Sequence, residues 1–152
     1  MHYHPVDLAG GADNGADEFV ELHNVGAAAV DLADAARPTN TWQLAGGVSF
    51  TFPAGTRLVA DEVALVVSFP PTNVVLATAF RNRFGVPAGA RLFGPYRGKL
   101  DNSADHVELR KPTDPIGAAV PMVVVDQVDY ADSGAWPGSV CSPKSKTCTM
   151  FG

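Results

Sequence analysis

Four groups of residues have the types and spacing to do chemistry. The acidic run Asp7…Asp13-Asn-Gly-Ala-Asp17-Glu18 sets carboxylates on a flexible, glycine-bearing loop, and oxygen ligands so placed suit Ca²⁺. The candidate metal set is Asp7, Asp13, Asp17 and Glu18; its spacing departs from the Asp-x-Asp-x-Asp-Gly template, and the competing reading is a solvated loop. His2 and His4, two residues apart on a strand, would face one way and could share a metal with Asp7 or His23. The alternative for that pair is a polar outer face around an inward Tyr3. Arg81, Arg83, Arg91, Arg97 and Lys99 form the one basic stretch, interleaved with Phe84, Phe93 and Tyr96. Such a mix suits an anionic glycan or nucleic acid, and equally a charged cover over a small helix. Cys141 and Cys148, with six residues between them, can close a small disulfide loop worth about 2.5 kcal/mol, which implies an oxidising compartment. Two free thiols in a loose tail are the alternative.

Catalytic constellations are missing. There is no Gly-x-Ser-x-Gly elbow, no His-Glu-x-x-His pair, no phosphate loop and no dinucleotide fingerprint. Ser103, Asp105 and His106 contain the residue types of a triad, but strand neighbours point to opposite faces. The adjacent carboxylates Asp17-Glu18 and Asp61-Glu62 diverge for the same reason, whereas acid–base work needs two carboxyls converging on one substrate. The chain reads as non-enzymatic.

These residues are positioned by short strands. Alternation with period two runs through Glu18-Phe-Val-Glu-Leu-His-Asn24, Val30-Asp-Leu32, Thr41 to Leu44, Val48-Ser-Phe-Thr-Phe52, His106 to Arg110 and Met122 to Tyr130. The uniformly apolar Glu62 to Val67 predicts a central strand buried on both faces. Phe80 and Phe84, four residues apart between Thr78 and Gly85, predict a two-turn helix over 78–84 that covers one open end of the core. With 15 Gly and 12 Pro in 152 residues, turn signals recur roughly every 8–12 residues. The expected fold is all-β: one antiparallel sandwich of eight to ten short strands and one short helix. A net charge of −5 disfavours polyanionic partners and anionic membrane surfaces. The longest nearly apolar stretch, Gly117 to Val125, is far below the ~20 residues a spanning helix needs. The abrupt opening Met1-His-Tyr-His-Pro5, without a signal peptide, reads as a domain excised from something longer.

The order of these motifs resembles the lamin-tail domain family: Asp17 to Asn24, Val30-Asp-Leu32, Trp42-Gln-Leu44, Phe50-Thr-Phe-Pro-Ala-Gly55, Gly98-Lys-Leu-Asp-Asn102, His106-Val-Glu-Leu109, Val125 to Tyr130 and Trp136-Pro137. The opening His2-Tyr-His-Pro5 and the segment from Ala79 to Tyr96 look like its bacterial branch. The resemblance spans residues 2 to 137 and implies an immunoglobulin-like sandwich occupying 1–138, followed by a tail at 139–152. The strand that usually precedes the opening is mostly missing, and the usual glycine-rich end is replaced by the cysteine-bearing tail. Structural roles are implied for Trp42 as a core aromatic between sheets, Asn24 as a turn residue whose amide replaces backbone partners, and Trp136. The family carries no catalytic signature. Its bacterial members occur in large secreted or surface proteins beside kinase-like domains, nucleases or sorting signals. The implied role is a binding, adhesion or spacer module at the cell surface, with a protein or glycan partner and other domains of the parent chain. An accessory domain of a linked nuclease or kinase-like enzyme, and a Ca²⁺-stabilised structural unit, are the alternatives.

Overall fold

The six period-two segments and the apolar run at 62–67 supply seven of the ten strands in a computed structural model that describes residues 1–131; Trp136, Cys141, Cys148 and the expected domain boundary at 138 lie outside the described residues. The strands are β1 (Phe19–His23), β2 (Val30–Asp31), β3 (Gln43–Gly46), β4 (Val48–Thr51), β5 (Arg57–Leu58) and β6 (Val63–Val67), followed by β7 (Arg91–Phe93), β8 (Arg97–Gly98), β9 (Ala104–Pro112) and β10 (Met122–Ala131). A five-stranded sheet runs β10-β9-β3-β4-β8, a three-stranded sheet runs β1-β6-β7, and β2 pairs with β5. Antiparallel pairing everywhere except β6–β7, and one short α-helix among the described residues, make this the expected all-β sandwich. The β3–β4 turn demands glycine. Gly46 has a φ of +101°, and a Cβ there would lie 2.3 Å from the His106 carbonyl oxygen.

The three-stranded sheet is covered on both faces. Val20 and Leu22 of β1 and Ala64 and Val66 of β6 enter one core with Leu44, Val48, Val107 and Leu109 of the five-stranded sheet. Phe19 of β1 and Leu65 and Val67 of β6 turn the other way, into a second core with Phe69 and Phe80. A strand between two cores has no face for polar side chains, which is why β6 reads as a continuous apolar run.

The second core is roofed by the helix α1, Val74–Phe84. It starts four residues before the expected helix, capped by Asn73, whose side chain accepts a bond from the Leu76 N–H at 3.2 Å, instead of by Thr78. Gly85 ends it in the left-handed conformation, φ 65°, with its N–H on the Arg81 carbonyl. The first turn, Val74-Val75-Leu76, is exposed, so it carries no burial periodicity to reveal it. The helix lies on a sheet face, not over an open end, because it is the crossover between β6 and β7. That pair is parallel, and parallel neighbours cannot be joined by a tight turn.

Double-sided burial also explains His2, expected on an outer polar face and found buried. Its backbone bridges to Phe19 and its ring stacks on Phe19 at 5.4 Å and meets Phe84 edge-on at 5.3 Å. Nδ1–H donates to the Asp17 carbonyl at 3.0 Å, and burial lowers the imidazole pKa below its ordinary value. Tyr3, its neighbour, points into the first core. One prediction separates the two ends of α1. Phe80→Ala should cost about 3–5 kcal/mol of unfolding free energy in a denaturant titration, whereas Val75→Ala should change it by less than about 0.5 kcal/mol.

Candidate functional site

At the end of β1 the chain needs a substitute for missing backbone partners, and Asn24 supplies it. Its amide nitrogen lies 2.9 Å from the Ala28 carbonyl, 3.1 Å from Leu58 and 2.9 Å from Val59, while its oxygen accepts the Gly26 N–H at 3.2 Å. One side chain thus joins the turn after β1 to the end of β5. Beneath this junction lies a cavity of about 210 Å³, walled by Leu22, Val30, Leu32, Trp42, Leu58 and Leu109. Trp42, for which the resemblance implied a core aromatic between sheets, is half-buried: it packs against the first core and lines the cavity. Val25 and Val125, 56% and 40% exposed, complete the lining. Val125 sits where the β9–β10 register shifts between Val124 and Asp126, and such a bulge re-aims a side chain. The ionisable residue of the lining is His23, whose Nε2 lies 3.0 Å from the exposed Asp61 carboxylate.

The acidic run does not converge. Asp7 is exposed. Asp13 pairs with Lys99 at 2.5 Å and accepts from the Asn102 amide at 3.1 Å; Lys99 holds its carboxyl pKa below the ordinary carboxylate value. Asp17 turns toward α1, accepting from Asn14 and pairing with Arg83 at 2.7 Å. Glu18 turns the opposite way, into the first core, where Oε2 accepts the Tyr96 hydroxyl at 3.1 Å and the Leu100 N–H at 3.2 Å. Alternation at the start of β1 sends neighbouring carboxylates to opposite sides of the sheet. Among the described residues no three His, Cys, Asp or Glu side chains are placed to hold a metal. Glu18 was legible as inward, since positions 18, 20 and 22 share a face with Val20 and Leu22.

Four of the five basic side chains in the basic stretch are engaged by partners. Arg81 donates to the Pro87 and Ala90 carbonyls at 2.5 and 2.8 Å, bracing the loop from α1 to β7. Arg83 holds Asp17 and Lys99 holds Asp13. Arg91 pairs with Glu62 at 2.6 Å and lies over the Phe93 ring at 5.5 Å. Tyr96 is buried on Glu18, and that burial raises its phenol pKa. Arg97 is exposed and makes no ion pair among the described residues. Exposed pairs add little stability, but they cancel the local positive field that a polyanion would need. Ser103, Asp105 and His106 form no triad: the Ser103 hydroxyl donates to Asp101 at 2.5 Å, and Asp105 accepts from the His106 backbone.

Two outcomes follow. Asn24→Ala strips the partner from three carbonyls and should cost about 2–3 kcal/mol in chemical denaturation. Burial pushes the Glu18 carboxyl above its ordinary 4.5, so the folded state binds this proton more tightly than the unfolded one. The stabilisation is complete below about pH 4.5 and is lost as pH rises through the raised value. Glu18→Gln keeps an acceptor for both bonds, so its stability relative to wild type should climb between pH 4.5 and 7; a flat difference across that window would refute the assignment.

Comparison with protein-family models, with curated proteins and with solved structures found no match to this chain.

Proposed function

We propose that this chain is a non-catalytic binding module, similar to the lamin-tail domains, from a larger exported bacterial protein, and that it grips an apolar side chain of a protein partner in the cavity beside Trp42. The cavity carries this reading. Its wall is apolar, two exposed valines stand in its lining, and His23 is the one ionisable side chain among the described residues that line it. A protein anchor suits such a wall better than a glycan, whose hydroxyls require a set of fixed polar groups. The engagement of Arg81, Arg83, Arg91 and Lys99 argues against nucleic acid, and no helix among the described residues is long and apolar enough to cross a membrane. Cys141 and Cys148 belong to the same reading as a small disulfide of an oxidising, extracellular setting, outside the described residues.

The test is selection of a displayed random-peptide library on the intact chain. Selected peptides should share an apolar anchor and perturb the Trp42 indole resonance. Burying a side chain of valine or leucine size is worth about 1.5–3 kcal/mol, so Val125→Asp should weaken those peptides about 10- to 100-fold while leaving the thermal midpoint within a degree or two. Unchanged affinity in Val125→Asp, or hydrolysis of nucleic acid or phosphoesters by the isolated chain, would overturn the proposal.

A further inference from the structure

Three buried side-chain oxygens have no hydrogen-bond partner among the described residues: Glu18 Oε1, Asn102 Oδ1 and the Tyr130 hydroxyl. Glu18 and Tyr130 are 1% and 2% exposed. A buried polar atom left without a partner keeps its full desolvation cost, so native proteins rarely leave one bare. Shared partners and charges connect the three. Glu18 Oε2 is held by the Leu100 N–H, two residues before Asn102. The Asn102 amide donates to Asp13, whose charge acts on Glu18. Tyr130 stands opposite Asp105 in the β9–β10 ladder and packs on Tyr3 at a ring distance of 4.0 Å. The charges of Asp105, Glu18 and Asp101 reinforce burial in raising its phenol pKa.

A hydrogen count selects the guest. The Glu18 carboxylate and the Asn102 carbonyl only accept, and the Tyr130 hydroxyl brings one proton. Completing all three bonds takes a molecule that donates twice and accepts once. Water does this, and about three bonds is the usual complement of a buried water. A cation would satisfy the two acceptors but give the tyrosyl proton nowhere to go. Lys99 already brings positive charge to Asp13, and no three carboxylate or imidazole side chains gather here to hold a metal. We propose that Glu18 Oε1, Asn102 Oδ1 and the Tyr130 hydroxyl form a binding site for one buried water molecule, which ties the start of β1 to the loop after β8 and to the end of β10.

A crystal structure of the intact chain that resolves ordered solvent tests this, with crystals grown in millimolar Ca²⁺ and in chelator. The expected result is one peak within about 2.7–3.0 Å of all three oxygens in both conditions. In solution, a long-lived water should give a cross-peak to the Asn102 side-chain amide that is weakened at least severalfold in Tyr130→Phe, a variant that keeps the ring packed on Tyr3. A peak at about 2.3–2.6 Å present only with Ca²⁺ would replace the water with a cation. A direct Glu18–Tyr130 hydrogen bond with no peak between the oxygens would also overturn the proposal, as would a cross-peak unaffected by Tyr130→Phe.

Discussion

Burial of the β1-β6-β7 sheet on both faces is the constraint from which most of the molecule follows. A sheet facing two cores cannot use alternation to separate polar from apolar residues, because either direction leads inward. Val20, Leu22, Ala64 and Val66 fill one side, and Phe19, Leu65 and Val67 fill the other. The polar groups that enter this double-sided interior must find partners there. His2 manages it by a bond to the Asp17 carbonyl and aromatic contacts, and Glu18 by the Tyr96 hydroxyl and the Leu100 N–H. The helix has the same origin. With β7 laid parallel to β6, the connection must cross the sheet, and α1 crosses where its Phe80 closes the second core.

The polar side chains of the interior act as joints between segments far apart in sequence. Asn24 links the turn after β1 to the end of β5, and Glu18 links the start of β1 to the loop after β8. Both replace backbone partners that irregular segments cannot find in a sheet ladder. Around them, among the described residues, Arg83, Arg91 and Lys99 are held in local ion pairs. The cavity beside Trp42, with its two exposed valines, is the apolar surface on which the proposed binding rests.

How much of this was legible depends on whether the relevant signal is local. The phase of β1, β4 and β9 was readable, because side-chain direction in a strand alternates regardless of what it packs against. So was the helix end at Gly85, because a left-handed residue after the last turn is a backbone requirement. The inward turn of Glu18 was implicit in its register with Val20 and Leu22, but a carboxylate beside Asp17 reads more readily as part of an acidic loop. The true helix start was hidden, since Val74 and Val75 are exposed and β-branched. The cavity had no sequence signal, because its wall comes from β1, β2, β5, β9 and β10 and from Trp42.

From residue order alone came the all-β class, the phases of β1, β4 and β9, the turn role of Asn24 and the lack of a catalytic motif. Each depends on chain geometry within a few residues. Tertiary structure alone decided that β7 runs parallel to β6, that His2 is inside, that Asp13, Asp17 and Glu18 part company, and that Arg81, Arg83, Arg91 and Lys99 meet carboxylates and carbonyls. Those outcomes depend on which faces two distant segments turn toward each other. A period-two pattern states that alternate residues point opposite ways, and only packing determines whether each side meets water or a second core.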